Sequence, residues 1–317
     1  AAAVLAAGAV LALSAYVWWW KPLVLASLRF AVSRAVAEVR PRTRFATLDL
    51  SGLRTIVLYG VEIGSRADPA SAVIPELRLT FSLRALLTSR LDPLKALRRV
   101  GLVRPTAWMT LGPAGSPGGS PPFPLPPAAV KVSGGRLVLR RPSATPAEMT
   151  LGDIDAELSA LSATPLAFSF ACTPPGSPRA ALRARGTFAP DFLRVTLGAI
   201  RVAPAPWTHW LAAVTRAVAF DEGTLSAALE LSLTSGTGPS AGLRAEDGWT
   251  LVAANGTVTA DRLAVRAAAL PVPLHGVTGQ VVCAGTTVRA ARLAFATPRA
   301  AWEAAGSVEG VRAPVLP

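Results

Sequence analysis

The residues able to do acid, base or metal chemistry in this chain are few and scattered. Its two histidines, His209 and His275, stand far apart, each without a carboxylate or second ligand at a fixed spacing. Such lone histidines read as structural rather than catalytic. Asp153 and Asp155 lie two apart on an alternating run and so share one strand face. That spacing suits a carboxylate pair, but it is also the spacing of an ordinary solvated face. Asp221-Glu222 before Gly223 reads as turn chemistry. Cys172 and Cys283 have no His or Cys at ligand spacing, which excludes a metal site. They suit either a disulfide in an oxidising compartment or two buried free thiols. No Gly-x-Ser-x-Gly elbow and no Gly-rich phosphate loop with Lys-Ser/Thr occurs. The expectation is a protein without catalytic residues, metal or cofactor.

The elements that position these residues are therefore the source of function. Of 317 residues, 51% are hydrophobic and 16% charged, with 26 glycines and 28 prolines. The hydrophobicity excludes general disorder, and the Gly and Pro density excludes a mostly helical chain. The net charge is +13, from 32 basic and 19 acidic residues. All the basic residues but Lys21, Lys95 and Lys131 are arginines, and they are dispersed. Without a compact basic helix or an aromatic–basic motif, nucleic acid is not an expected partner. The local concentrations, Arg29–Arg44 and Arg84–Arg104, suit anionic lipid headgroups.

Ala1–Leu28 is the strongest single signal. Its first 20 residues carry no charge, and a helix of that length spans roughly the 30 Å hydrocarbon core. Trp18, Trp19, Trp20 and Lys21 follow, where an interfacial aromatic belt and a snorkelling cation belong. The expectation is a membrane anchor. A cleaved signal peptide, with Ala12-Leu13-Ser14-Ala15 as its site, and a buried core helix are the alternatives. Phe30, Val32, Ala35, Val36 and Val39 then form either a juxtamembrane helix or a solvated connector.

From Thr55 to Ile63 the chain is β-branched and aromatic, which predicts a strand. In Glu76–Phe81, Leu77, Leu79 and Phe81 alternate with polar residues onto one face. The period then becomes helical, with Leu83, Leu86, Leu87, Leu91, Leu94 and Leu97, and Asp92-Pro93 between two turn sets. A further strand, Gly101–Leu111, follows. Gly112–Pro127 is a Pro/Gly-rich loop that can sustain neither ladder nor helix and should tolerate deletion. Val130–Val132 and Arg136–Arg140 flank Ser133-Gly134-Gly135, a hairpin signal. Short alternating runs continue to Val308, interrupted by one predicted helix at Pro206–Phe220. In Leu225–Leu233, the residues Leu225, Ala227, Leu229, Leu231 and Leu233 share one face, while Ser226, Glu230 and Ser232 share the other.

Leu77–Leu111, a Leu/Arg strand, a Leu-rich helix and a strand carrying Arg104-Pro105, resembles the start of the AsmA-like superfamily, which includes the TamB-type envelope proteins. Gly134–Leu139 and Leu274–Gly279 resemble the repeats of that type. The Pro-rich insert at 112–127 departs from the pattern. The resemblance implies a sheet curled into an open groove whose inner face holds acyl chains.

The expected architecture is mainly β. It has an anchor at 1–28, a β/α/β start at 29–111, a loop at 112–127, and a long antiparallel groove at 128–317 with a helix near 206–220. The resemblance implies a single-pass protein of the bacterial inner membrane whose bulk lies in the periplasm. There it would transfer phospholipid between inner and outer membranes. Leu77, Leu79, Phe81, Leu225, Leu229, Leu231 and Leu233 would line the groove, and Trp18, Trp19, Trp20 and Lys21 would mark the interface. Two alternatives remain from other classes. One is an assembly factor for outer-membrane β-barrels with an Omp85-type partner, and the other is a self-filled β-sandwich, secreted and binding a protein partner after signal cleavage.

Overall fold

The computed structural model describes residues 43–309 except 53, 66–67, 83, 86–95, 111–127, 142–147, 161–162, 164, 212–217, 236–248 and 268–271. The anchor segment, with Trp18, Trp19, Trp20 and Lys21, lies outside the described residues. So do the loop Gly112–Pro127 and the leucines 83, 86, 87, 91 and 94 of the first predicted helix. No helix among the described residues is long and apolar enough to cross a membrane.

The described chain is one curled sheet of sixteen strands. The strands are β1 (Thr43–Arg44), β2 (Thr47–Ser51), β3 (Thr55–Ile63), β4 (Ala70–Phe81), β5 (Leu97–Val103) and β6 (Thr106–Thr110). They continue with β7 (Ala129–Arg140), β8 (Glu148–Leu158), β9 (Leu166–Thr173), β10 (Leu182–Phe188) and β11 (Phe192–Val202). After helix α1 (Ala205–Leu211) come β12 (Val218–Ser235), β13 (Trp249–Ala267), β14 (Leu274–Gly285), β15 (Thr287–Thr297) and β16 (Ala300–Val308). From β7 onward each strand pairs antiparallel with the next.

One junction breaks the expected antiparallel order. β5 and β6 form a single interrupted strand lying along β4, and β7 runs parallel to both. Parallel pairing needs a crossover that returns the chain to the starting end of the sheet. The segment between Thr110 and Ala129 is that connection in covalent terms. The interruption falls at Arg104-Pro105, where proline lacks an N–H. There the N–H of Arg104 donates to Ser133 O at 2.8 Å, and the N–H of Arg136 to Pro105 O at 2.7 Å.

Several sequence-level expectations are corrected. Ser133-Gly134-Gly135 is not a hairpin turn but a bulge inside β7, across which the register with β8 shifts. Asp221-Glu222-Gly223 likewise lies inside β12, at two register shifts, rather than in a turn. Bulges and turns use the same left-handed glycine, φ +62° at Gly134 and +90° at Gly223, so their local signals coincide. The three runs 249–254, 257–260 and 262–268 are one strand through Ala267.

The second predicted helix does not extend to Phe220, because Val218–Phe220 belong to β12. α1 is described through Leu211, residues 212–217 lie outside the described residues, and Val218 and Phe220 pair with Ala267 and Val265 of β13 rather than lying in a helix. Thr208 fixes the junction. Its Oγ1 donates to Phe220 O at 2.9 Å and accepts the Phe220 N–H at 2.8 Å. Leu97 belongs to β5 rather than to the first helix.

The bulges form a seam across the sheet. Non-glycine residues with left-handed φ stand at Arg104, Asp153, Arg201 and Arg262, in line with Gly134, Gly223 and Gly276. Side chains of the following strand take up N–H groups freed there. Asp155 Oδ1 accepts from Gly134 N (3.0 Å), Ser226 Oγ from Arg201 N (3.0 Å), and Thr278 Oγ1 from Arg262 N (3.3 Å). Each extra residue also switches which parity of the sequence faces the apolar side, from Val130 and Val132 to Leu137 and Leu139, for example.

Candidate functional site: a continuous apolar sheet face

Directly opposed residues on paired strands share a face, so the registers trace each face across the whole sheet. One row begins at Leu48 on β2 and passes through Leu58, Leu77, Leu102, Val132 and Ala156. It continues through Phe170, Ala184, Leu197 and Leu229, then Gly256, Cys283, Val288 and Val308. No member carries a charge or a hydrogen-bonding side chain other than the Cys283 thiol. A second row, including Leu79, Val100, Leu158, Val195 and Leu231, lies beside it on the same face. With adjacent strands about 4.8 Å apart, the first row extends roughly 60 Å across the sheet.

The opposite face is polar. Its corresponding row includes Asp49, Arg78, Lys131, Glu157, Arg185 and Glu230. Two open depressions lie on this side. One, of about 780 Å³, is lined by the charged Lys131, Asp155, Glu157, Arg183 and Arg185 together with Val132, Ala156, Phe170 and Ala184 of the first row. The other, of about 670 Å³, is lined by Asp49, Glu76, Arg78 and Arg99. The charged walls of the second suit water and ions rather than hydrocarbon.

The two ends of the apolar face differ. At the β2–β5 end, Leu58, Val61 and Ile74 form a closed core, each no more than 3% exposed, with Leu48, Ile56, Leu77, Leu79 and Leu102 packed against it. Beyond β9, Leu193, Val195, Leu197, Leu229, Leu231, Val258 and Val281 are only half-buried. On β9–β11 the neighbours facing the other way, such as Ser169, Arg185 and Thr196, are exposed. Among the described residues the sheet is the only layer here: no second sheet packs on it, and α1 lies against β12.

The residues expected to share a face do so. Leu77 and Leu229 lie in the first row, and Leu79 and Leu231 in the second. Leu225 and Leu233 follow on the same side of β12, opposite Ala260 and Leu251. Phe81 lies past a register shift, opposite Leu97. Leu77 and Leu79 also help to pack the closed core, which distinguishes them from the β12 leucines. Leu58, Leu102, Val132, Phe170 and Leu197 join the surface without having been singled out by the sequence. Each sits in an alternating run, but only the register joins those runs into one surface.

The candidate chemical groups do not assemble. Among the described residues no three His, Cys, Asp or Glu side chains approach as metal ligands. Asp153 and Asp155 are separated by the β8 bulge. Asp155 accepts from Gly134, while Asp153 accepts from Thr173 Oγ1 at 3.3 Å and meets Arg179 at 3.6 Å. Asp221 makes a two-pronged ion pair with Arg266, at 2.5 and 2.7 Å. Its hydrogen bond and charge hold the guanidinium pKa above the ordinary value. His275 is exposed at the start of β14.

Both cysteines are free thiols. They lie on the apolar face five strands apart, roughly 24 Å, far beyond disulfide reach. Cys172 is fully buried, and burial pushes its thiol up to about 11. The chain matches no protein-family model and no curated protein sequence.

Proposed function

We propose that this is a membrane-anchored, periplasm-facing β-groove protein that binds phospholipid acyl chains and transfers them between inner and outer membranes. The observation that carries the reading is the unbroken apolar row from Leu48 to Val308, half-exposed beyond β9. An uncovered apolar surface of that extent on a single sheet requires an occupant. Acyl chains fit its chemistry. Each methylene removed from water contributes about 0.8 kcal/mol, and Leu, Val, Ala and Gly offer no hydrogen bond that would hold a chain at one register. One leaflet's chains fill about 15 Å, half of the hydrocarbon core, so the row accommodates several chain lengths end to end. Ala1–Trp20 would span the inner membrane, with Lys21 and the tryptophans at its periplasmic interface.

Native mass spectrometry of the detergent-extracted full chain tests this. The expected result is a series of mass additions matching phospholipids that persist at activation energies stripping detergent. Lipid-free protein bound to an outer-membrane barrel would contradict lipid carriage and support barrel assembly instead.

A further inference from the structure

Several arginines of this sheet are met by an acid on the adjoining strand. Arg140 pairs with Glu148 at 2.8 Å, Arg266 with Asp221, and Arg292 with Glu303. Arg183 and Arg185 on β10 have no such partner among the described residues. They lie two apart in the strand, so they share the polar face at a spacing of about 6.8 Å. Their directly opposed neighbours are all neutral: Ala171 and Ser169 on β9, Gly198 and Thr196 on β11. The nearby charges are otherwise engaged or distant. Lys131 and Glu157 stand opposite each other, and Asp155 accepts the Gly134 N–H at the seam. Glu230 lies beyond Thr196, two strands from Arg185 and roughly 9.6 Å away. Arg183 Nε donates to Ala180 O at 3.4 Å. The side chains of Arg185, Ser169 and Thr196 make no hydrogen bond or ion pair among the described residues.

We infer that Arg183 and Arg185, with the Ser169 and Thr196 hydroxyls, bind a phosphate-bearing anion on the polar face of the sheet. All four side chains line the depression of about 780 Å³, and Gly198 lies beside them. A Cβ at Gly198 would meet nothing within 4 Å, so the floor opposite Arg183 is open to a ligand. A guanidinium presents a planar fork of N–H donors that matches two oxygens of a phosphate. Two forks and two free hydroxyls can approach a tetrahedral group from several sides, whereas a flat carboxylate leaves part of that donor set unused. Neighbouring like charges on one sheet face also repel, and a bound anion removes that repulsion. Arg194 on β11, opposite Thr187 and Ser232, adds a further cation to this face. The acyl row lies on the other face, so the inference does not depend on what that row carries.

Calorimetric titration of the detergent-extracted full chain with inorganic phosphate tests it, and saturable binding is expected. Arg185→Gln removes one charged fork and should weaken binding about tenfold or more. Its circular dichroism spectrum should not change, because the side chain is exposed. Ser169→Ala combined with Thr196→Ala should weaken binding by a smaller factor. Arg289→Gln is the control. It is exposed on the same face of β15, five strands and roughly 24 Å away, beyond the screening length at physiological salt. That variant should bind phosphate as the wild type does. A second titration with glycerophosphoglycerol, a soluble phosphodiester headgroup, distinguishes the source. Tighter binding than phosphate assigns the site to a lipid headgroup, and weaker binding assigns it to free phosphate. Absence of saturable binding for both probes would overturn the inference. Equal losses from Arg185→Gln and Arg289→Gln would also overturn it, by reducing the effect to diffuse attraction toward a chain of net charge +13.

Discussion

The backbone N–H of Gly134 on β7 donates to Oδ1 of Asp155 on β8 at 3.0 Å. That contact is one step in a line of bulges that bends the sheet while keeping its apolar residues on one side. Asp155→Asn retains an oxygen acceptor and should leave the melting temperature within a degree or two. Asp155→Ala removes it and should lower stability by about 0.5–1.5 kcal/mol. Equal effects from the two variants would show that the carboxylate acts through charge rather than through the Gly134 N–H. Thermal melts of the three proteins decide between these outcomes.

Gly256, in the first apolar row, has φ +131°, and a Cβ there would lie 2.0 Å from Ala228 O. Gly198 on β11 has ordinary φ, and a methyl group there would meet nothing within 4 Å. Gly256→Ala should therefore destabilise by about 2 kcal/mol or more, and Gly198→Ala by less than about 0.5 kcal/mol. Denaturant titration of both variants measures the difference, and comparable midpoints would contradict the strand geometry at Gly256.

Chain reach limits the connection between β6 and β7. Arg99 pairs with Ala129 and Thr110 with Arg140, so Thr110 and Ala129 lie about a β7 length apart, roughly 36 Å at 3.3 Å per residue. Without Ser116–Ser120 the remaining link still reaches roughly 46 Å, so that deletion should leave the melting temperature nearly unchanged. Without Gly112–Pro121 the reach falls to roughly 30 Å, and the parallel pairing should fail. A stable, cooperatively folding protein after the longer deletion would contradict the β5–β7 register.

The two thiols should react in a fixed order. Cys283 is partly exposed, while Cys172 is buried with its pKa raised to about 11, so at pH 8 it is neither accessible nor ionised. A water-soluble maleimide should label Cys283 alone in the native protein and both residues after denaturation. Because the Cys172 thiol ionises more readily in the unfolded chain, its ionisation disfavours folding progressively as pH rises above about 9. A native disulfide between the two, visible as one blocked pair under non-reducing conditions, would contradict the sheet order.

Much of this surface was legible in the sequence. The alternation in Glu76–Phe81 and Leu225–Leu233 sorts their residues onto faces correctly, because a strand's side-chain period is two whatever its partners are. Bulges were not legible as such. At Ser133–Gly135 and Asp221–Gly223 the pattern stops and restarts with opposite parity around a glycine, which is also what a hairpin looks like. Val218 fits a helical period begun at Trp207, and only its pairing with β13 decides against it. The parallel β5–β7 junction is long-range, and no local residue encodes it. The same holds for the rows, which depend on the register of thirteen successive pairings.

Leu229→Glu tests the central claim most directly. Leu229 is half-buried in the open stretch of the first row, between Leu197 and Gly256. A carboxylate there is tolerable when water fills an open groove but disrupts the path of an acyl chain. Native mass spectrometry combined with a thermal melt should show a folded Leu229→Glu protein, its melting temperature within a few degrees of wild type, that has lost its bound phospholipid. Glu230→Leu, on the opposite face, should keep it. If Leu229→Glu instead fails to fold, as an unpaired charge in a closed core would make it do, the face is a self-filled core and the lipid-groove account is wrong.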